Sequence, residues 1–380
     1  DSRLKQFGGM AAAIIVYVAI SQFGYFVTSR IAASADALAP NIYQQAWLLL
    51  QVPYGIIGVT LLTAIMPRLS RNAADGDDKA VVEDLVMGSK MTYIALIPIV
   101  IFFTIFGTDI AKGLFAYGKF DVEAATVLGW TLSFSAFTLL PYSTVLLHLR
   151  VFYAREEAWT PTFIIAGITV TKVALSWLAT MVDTEPQKLV ILLGAANGFG
   201  FVAGALIGGF LLRRQLGDLG TKQVTRTCVW ALMSSLVGGS MAFGLHYLLK
   251  FAMRPVIMQI GSIGFILDLA ITGVVFLVIT GIVLSRSGLP ELSVLSRVAR
   301  RIPGLSRFIA EPERNEYYEE VATPQLRAAA TYVDDTFNAT PVPPPMSAGI
   351  VRGPRLVPGA EVSDGSFRLL ADHGSVPGAR

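Results

Sequence analysis

The chain has 380 residues, of which 53% are hydrophobic and 15% are charged, and its formal net charge is +3. A soluble domain carries about 25% charged residues, so this composition excludes an ordinary soluble protein. The single cysteine, Cys228, excludes an intrachain disulfide and a cysteine-rich metal site. The charges collect in a few loops and in the C-terminal tail, which leaves long uncharged stretches between them. The composition therefore indicates a polytopic membrane protein.

Eight of these stretches approach the roughly 20 residues that a helix needs to cross a bilayer core. In chain order they cover residues 8–31, 44–66, 89–106, 124–147, 162–182, 189–212, 227–249 and 263–284. Arginine and lysine are concentrated in alternate loops, and positive charge in short loops stays on the cytoplasmic side. We therefore expect an all-α, multi-pass fold in which both ends of the chain are cytoplasmic.

Some segments are predicted to lie outside the spans. Residues 75–88 have apolar positions at helical spacing, which predicts an amphipathic helix on the cytoplasmic surface. Residues 108–123 are predicted to form a re-entry segment on the outer side. The second span is expected to stop at Pro67, with Arg68 and Arg71 marking its cytoplasmic end.

The character of the chain changes after the last span. Residues 286–310 are predicted to form a basic, amphipathic juxtamembrane segment on anionic headgroups. Residues 311–360 are rich in Ala, Thr and Pro and predict a disordered linker, and residues 361–380 are interpreted as the truncated start of another domain. Thr331 and Thr336 are candidates for phosphorylation, with plain linker threonines as the alternative. The opening at Asp1, without a methionine, suggests a piece of a longer protein.

The sequence contains no hydrolytic constellation, no set of metal ligands and no phosphate-cradling glycine loop. Its three histidines are scattered along the chain. These features argue against an enzyme or an ATP-driven pump. They favour a secondary transporter or a membrane scaffold.

Ionisable residues within spans are costly in lipid and usually face a cavity or a partner. Arg30, near the outer end of the first span, is a candidate for binding an anionic group, with a snorkelling arginine as the alternative. Lys172 lies in the middle of its span and is a candidate for a buried ion pair or a substrate contact. Asp268 is expected to pair with Lys250 or Arg254.

Pro53 and Gly55 lie within the second span and are candidates for a hinge. Proline removes a backbone hydrogen bond and bends a helix. A static kink is the alternative interpretation of the pair.

Several motifs together resemble the MurJ (MviN) family of lipid II flippases, in the multidrug/oligosaccharidyl-lipid/polysaccharide exporter superfamily. They are Val52-Pro53-Tyr54-Gly55 with Gly58, Pro67-Arg68-Leu69-Ser70, Leu114-Phe115-Ala116-Tyr117-Gly118-Lys119-Phe120, and Phe152-Tyr153-Ala154-Arg155 with Thr160-Pro161. The resemblance covers roughly residues 5–284. It implies that the chain corresponds to the seventh to fourteenth helices of the family: the second six-helix lobe of a MATE-like fold, plus two extra helices that line a groove for the lipid tail.

The resemblance also implies a function: transfer of the lipid-linked disaccharide-pentapeptide from the inner to the outer leaflet of the bacterial plasma (inner) membrane. The mechanism would be alternating access between two lobes, and the protein would be a transporter rather than an enzyme. The implied partners are lipid II, membrane lipids, the N-terminal lobe of the same protein and, through the tail, cell-wall regulators, but no nucleic acid. No cofactor is implied, and coupling to a monovalent cation or to the membrane potential is left open. The alternatives are an exporter of another polyprenyl-linked saccharide, or a scaffold anchoring a regulatory cytoplasmic domain to cell-wall synthesis.

Three details of the resemblance concern particular residues. Several relatives have an arginine just before the Pro-x-Gly motif, where this chain has Trp47-Leu48-Leu49-Leu50, so Arg30 is the best substitute for holding the pyrophosphate. Relatives place a monovalent cation between the equivalents of the first, fifth and sixth spans, and the ammonium of Lys172 is expected to stand in for it. The tail is similar to that of actinobacterial members with a kinase-like cytoplasmic domain, but without kinase motifs no kinase activity is assigned.

Overall fold

The structure is a computed structural model, and it describes residues 2–116, 120–182, 185–260 and 262–292. Within these ranges the chain forms ten α-helices. They are α1 (Ser2–Ala35), α2 (Ala39–Pro53), α3 (Val59–Ala74), α4 (Asp78–Phe115), α5 (Val122–Ser135), α6 (Leu139–Ala154), α7 (Trp159–Val182), α8 (Pro186–Leu216), α9 (Thr221–Ile260) and α10 (Ser262–Ser285). A π-helical turn, Tyr54–Gly58, joins α2 to α3, and a 3-10 turn, Ala136–Thr138, joins α5 to α6.

Seven helical segments of the described chain are long and apolar enough to cross a membrane. They are Phe7–Ala35, Asp78–Phe115, Val122–Ala154, Trp159–Val182, Pro186–Leu216, Thr221–Ala252 and Ile266–Ser285. The bent pair formed by Ala39–Gly58 and Thr63–Ala74 makes an eighth span when it is counted as one. The prediction of an all-α, multi-pass fold with about eight spans is confirmed.

The second span is bent by 63°. Pro53 ends α2 and the π-helical turn follows directly, which is the kind of site at which helices kink, because the backbone hydrogen-bond ladder is interrupted. The prediction that this span stops at Pro67 is wrong, since Pro67 lies inside α3. The residues after Pro67 remain helical to Ala74, and Arg68 and Asn72 bind the buried carboxylate of Asp84 on α4.

Helix α4 is longer than the sequence predicts. Residues 75–88 were expected to form a separate surface helix, but from Asp78 they belong to one unbroken helix of 38 residues, about 57 Å long. The side chain of Asp77 accepts a hydrogen bond from the Ala80 backbone N–H and caps the start. Val81 and Leu85 are buried in the core, so the apolar face of this segment packs on protein and does not lie on lipid.

The same helix replaces part of the predicted re-entry segment. Residues 108–115 continue α4, and residues 117–119 lie outside the described ranges. In the folded bundle the carboxylate of Asp109 contacts His246 and Lys250 of α9. A charge that is paired inside the bundle does not have to end the helix.

Helix α4 is the centre of the packing. It contacts α3, α5, α6, α9 and α10, while α7 lies between α1 and α8. The main core contains large, fully buried side chains from several helices, including Leu96, Phe106, Leu139, Phe152 and Ile164. Helices α9 and α10 pack on each other and both rest on α4.

The chain after α10 begins with a docked turn. Pro290–Leu292 form a 3-10 turn. Leu292 of this turn and the preceding Leu289 are buried with Leu284, and Ile94 of α4 packs against them. One carboxylate oxygen of Glu291 lies 2.8 Å from Nζ of Lys90. The start of the predicted juxtamembrane segment thus packs on α4. Its remainder, the linker 311–360, residues 361–380, and both Thr331 and Thr336 lie outside the described residues.

Candidate functional site

Helix α1 packs closely on α7 and leaves its other face open. A Cβ on Gly24 would lie 2.9 Å from Cγ2 of Thr169, and the hydroxyl of Thr162 donates a hydrogen bond of 3.0 Å to the Ala13 carbonyl. Arg30 lies near the end of α1 and is exposed. No described residue lies within hydrogen-bond or ion-pair distance of its guanidinium. Among the described residues, this arginine therefore keeps its donors available for an anionic ligand.

Lys172 lies where α7 meets α8 and α2. Its Nζ is 5.9 Å from the ring centroid of the buried Tyr43 on α2, within the range of a cation–π interaction. A Cβ on Gly200 would lie 3.1 Å from Cβ of Lys172, so the glycine lets α8 pass close to this side chain. No described carboxylate lies within ion-pair distance of Lys172. Among the described residues, its ammonium contacts the face of the Tyr43 ring. No described contact joins Arg30 to Lys172.

A cluster of four aromatic rings, Trp47, Tyr54, Tyr142 and Phe201, holds the bent span against α6 and α8. The Trp47 ring stacks on Phe201 with centroids 5.7 Å apart and meets Tyr142 edge-on at 5.2 Å. Tyr142 also contacts Tyr54 at 4.9 Å and Phe201 at 5.0 Å. Such pairs are worth about 0.5–1.5 kcal/mol each beyond the area they bury. Sequence reasoning missed this cluster, because no local pattern joins rings from α2, the π-helical turn, α6 and α8.

The two hinge candidates have different surroundings from their neighbour Gly58. Pro53 ends α2 at the bend, and a Cβ added to Gly55 would meet nothing within 4 Å. A Cβ on Gly58 would lie 2.4 Å from the ring of the buried Tyr54. Packing thus requires glycine at position 58, whereas the role of Pro53 and Gly55 as a hinge stays a prediction.

The motif arginines form ion pairs with the first turns of α4. Nε of Arg68 lies 2.9 Å from the fully buried carboxylate of Asp84, which also accepts a 2.6 Å hydrogen bond from the Asn72 amide. Arg155, at the end of α6, lies 2.6 Å from Asp78. These contacts bind α3 and α6 to α4, so both arginines have structural partners. The positions of these arginines and aspartates in the sequence did not predict which of them would pair.

A cavity of about 520 Å³ lies between α4, α6, α8 and α9. Its wall is mainly apolar, with polar groups from Tyr93, Thr144 and His148, and the hydroxyls of Tyr93 and Thr144 contact each other. Cavities of this size accommodate part of an apolar ligand.

Comparison with known proteins assigns this chain to a protein family. The family model described as lipid II flippase MurJ matches residues 1–262, more than half of the chain. The chain belongs to the MurJ family. The match runs from α1 through α9 and includes the bent span with its Pro-x-Gly motif.

Individual relatives agree with this assignment. The chain is 26% identical over 153 residues to the lipid II flippase MurJ of Burkholderia cenocepacia, covering 40% of this chain and 30% of that protein. It is 25% identical over 152 residues to a probable lipid II flippase MurJ of Rhizobium meliloti, covering 40% of this chain and 28% of that one. The corresponding protein of Vibrio cholerae is 24% identical over 241 residues, covering 60% of this chain and 42% of the relative. The chain thus matches less than half the length of these MurJ relatives.

A solved structure supports the same fold. A lipid II flippase MurJ in an inward closed conformation superposes with a TM-score of 0.54 and 18% sequence identity. The superposition covers 70% of this chain and 51% of that one. At this identity the likeness concerns the fold alone.

Proposed function

We propose that this chain supplies the C-terminal part of a lipid II flippase of the bacterial inner membrane, with both ends in the cytoplasm. The observation that carries the proposal is the MurJ family match over residues 1–262. The relatives are longer than the part matched here, so the working transporter includes a first lobe supplied by the same protein. It acts as a transporter and not as an enzyme. Its substrate is the undecaprenyl-linked disaccharide-pentapeptide.

Alternating access between the two lobes moves the substrate from the inner to the outer leaflet. The guanidinium of Arg30 suits a pyrophosphate because its planar fork donates paired hydrogen bonds to phosphate oxygens. The bend at Pro53 lets the two halves of the second span change their angle, since a kink already interrupts the backbone ladder there. The aromatic cluster holds the α2 half against α6 and α8 while this happens.

Depletion of the full-length protein, followed by measurement of lipid II in each leaflet, tests the function. Accumulation of lipid II in the inner leaflet supports the flippase. Accumulation of a different polyprenyl-linked precursor would instead identify the protein as an exporter of another saccharide. If no lipid-linked precursor accumulates and cell-wall synthesis is mislocalised, the result would favour a scaffold that recruits cell-wall regulators through the tail.

Replacing Arg30 by glutamine in the full-length protein is expected to reduce flipping. The variant loses charge-assisted hydrogen bonds worth about 1.5–3 kcal/mol, which corresponds to about 10- to 150-fold in apparent affinity for the lipid. Arg30→Lys keeps the charge without the fork and should retain part of the activity. Lys188→Gln, which removes an exposed charge in the first turn of α8, is the matched control. Equal activity of R30Q and K188Q would remove Arg30 from the site.

Lys172→Gln is expected to make transport depend on added monovalent cation. The ammonium over Tyr43 supplies a fixed positive charge, and glutamine leaves that position neutral for a bound ion to fill. Flipping by the full-length variant is measured in vesicles with and without sodium. Transport that is unchanged in both conditions would show that Lys172 does not stand in for a cation.

A further inference from the structure

Three ionisable side chains from three helices meet in the bundle: Asp109 of α4, His246 of α9 and Asp268 of α10. Nε2 of His246 lies 3.2 Å from Oδ2 of Asp109, and Nδ1 lies 2.6 Å from Oδ2 of Asp268. The Nδ1 contact is an ion-pair contact without hydrogen-bond alignment. The expected partner of Asp268 was Lys250 or Arg254. The structure places the histidine ring against Asp268, and Lys250 reaches the trio through Asp109.

This geometry requires an additional proton. A neutral imidazole has one N–H donor and one nitrogen lone pair, and an ionised carboxylate only accepts. With a carboxylate oxygen close to each ring nitrogen, a neutral ring would place its unprotonated nitrogen next to one of the two carboxylates. Either the ring carries two protons, or one carboxyl group is protonated. A neutral imidazole with two ionised carboxylates therefore lacks one proton. The trio is stable when that additional proton is bound.

The neighbouring charges indicate where that proton is held. Nζ of Lys250 lies 2.7 Å from Oδ1 of Asp109 and stabilises its anionic form. The hydroxyl of Thr272 donates a 3.5 Å hydrogen bond to Asp268. Lys112, the other charged residue at this end of α4, has no described ion pair or hydrogen bond with the trio. Two carboxylates, one ammonium and one imidazolium balance to zero, whereas a neutral ring leaves one uncompensated negative charge.

His246 and Asp268 are shielded from water. The side chains of His246 and Asp268 are 6% and 3% exposed, and the Phe106 ring meets His246 edge-on at 5.3 Å. An unbalanced charge is expensive in such surroundings. Among the described residues no group of three or more His, Cys, Asp or Glu has the arrangement of a metal site.

We propose that Asp109, His246 and Asp268 form a proton-binding site in which the His246 imidazolium clamps α9 and α10 to α4. Loss of the proton leaves two carboxylates against a neutral ring and loosens α9 and α10 from α4. The protonated state is favoured at low pH, so the clamp holds there and opens as the pH rises. The site does not depend on which lipid the protein carries.

The charge of His246 is measurable by nitrogen NMR of the full-length protein in lipid nanodiscs, with ¹⁵N-labelled histidine. We expect both ring nitrogens of His246 to be protonated at neutral pH. His148→Gln, at the second buried histidine of the described residues, helps to assign the spectrum and should leave the His246 signal unchanged. Asp268→Asn should convert His246 to its neutral form, because the asparagine amide can donate to Nδ1. A neutral His246 in the unmodified protein would overturn the proposal.

Hydrogen exchange of α9 and α10 between pH 6 and pH 9 tests the clamp. After correction for the intrinsic exchange rate, we expect exchange of the unmodified protein to rise at least tenfold with pH, while Asp268→Asn shows no such rise. If D268N does not fold, Asp109→Asn serves as the second variant with the same expectation. A pH dependence shared by the unmodified protein and the variant would refute the clamp.

Discussion

Replacing Glu291 by alanine is expected to lower the free energy of unfolding by about 3–5 kcal/mol, the usual cost of removing one partner of a buried ion pair. The Lys90–Glu291 pair joins α4 to the turn after α10, and the two side chains are 10% and 1% exposed. Without the carboxylate, Lys90 keeps a charge in a position that water barely reaches. Thermal unfolding of the full-length protein in one detergent measures the loss.

Two comparisons show whether burial is the cause. Glu185→Ala breaks an exposed pair with Lys188, whose side chains are 66% and 58% exposed, and such pairs contribute about 0–1 kcal/mol. The double variant Lys90→Met, Glu291→Leu removes both charges and should recover most of the stability. If Glu291→Ala cost no more than Glu185→Ala, the buried pair would not be what holds this turn.

Gly129→Ala is expected to disrupt the crossing of α4 and α5. A Cβ at this position would lie 2.3 Å from Cα of Thr108 and 2.9 Å from the carbonyl oxygen of Gly107, and both are backbone atoms. Because no side chain can move aside, the two helices must separate. Overpacking of this kind costs about 1–3 kcal/mol, occasionally more. The loss is measured as a lower unfolding temperature and a smaller yield of folded protein.

Gly244→Ala is the matched control. It also lies within a spanning helix, but a Cβ there would meet nothing within 4 Å. Alanine is favoured over glycine in a helix interior by about 1 kcal/mol, so this variant should be neutral or slightly stabilising. Equal stability of G129A and G244A would mean that the α4–α5 crossing tolerates a side chain.

The sequence alone determined the spans, because the cost of placing polar backbone and charge in hydrocarbon depends mainly on local composition. The uncharged runs gave the number of spans, and the motifs around Pro53, Arg68 and Arg155 indicated the family. Arg30 and Lys172 were found because charges are rare in such runs. A glycine and proline pair predicted a weak point in the second span, where the structure has a 63° bend.

Only the tertiary structure decided which charges meet. Asp84 and Asp109 both belong to α4, and their partners on α3 and α9 reach them only in the folded bundle. No local pattern joins positions 109, 246 and 268, which lie on three helices far apart in the sequence. Helix packing brings them together. The His246 proton site is thus a property of the bundle, whereas the spans that build it are a property of the sequence.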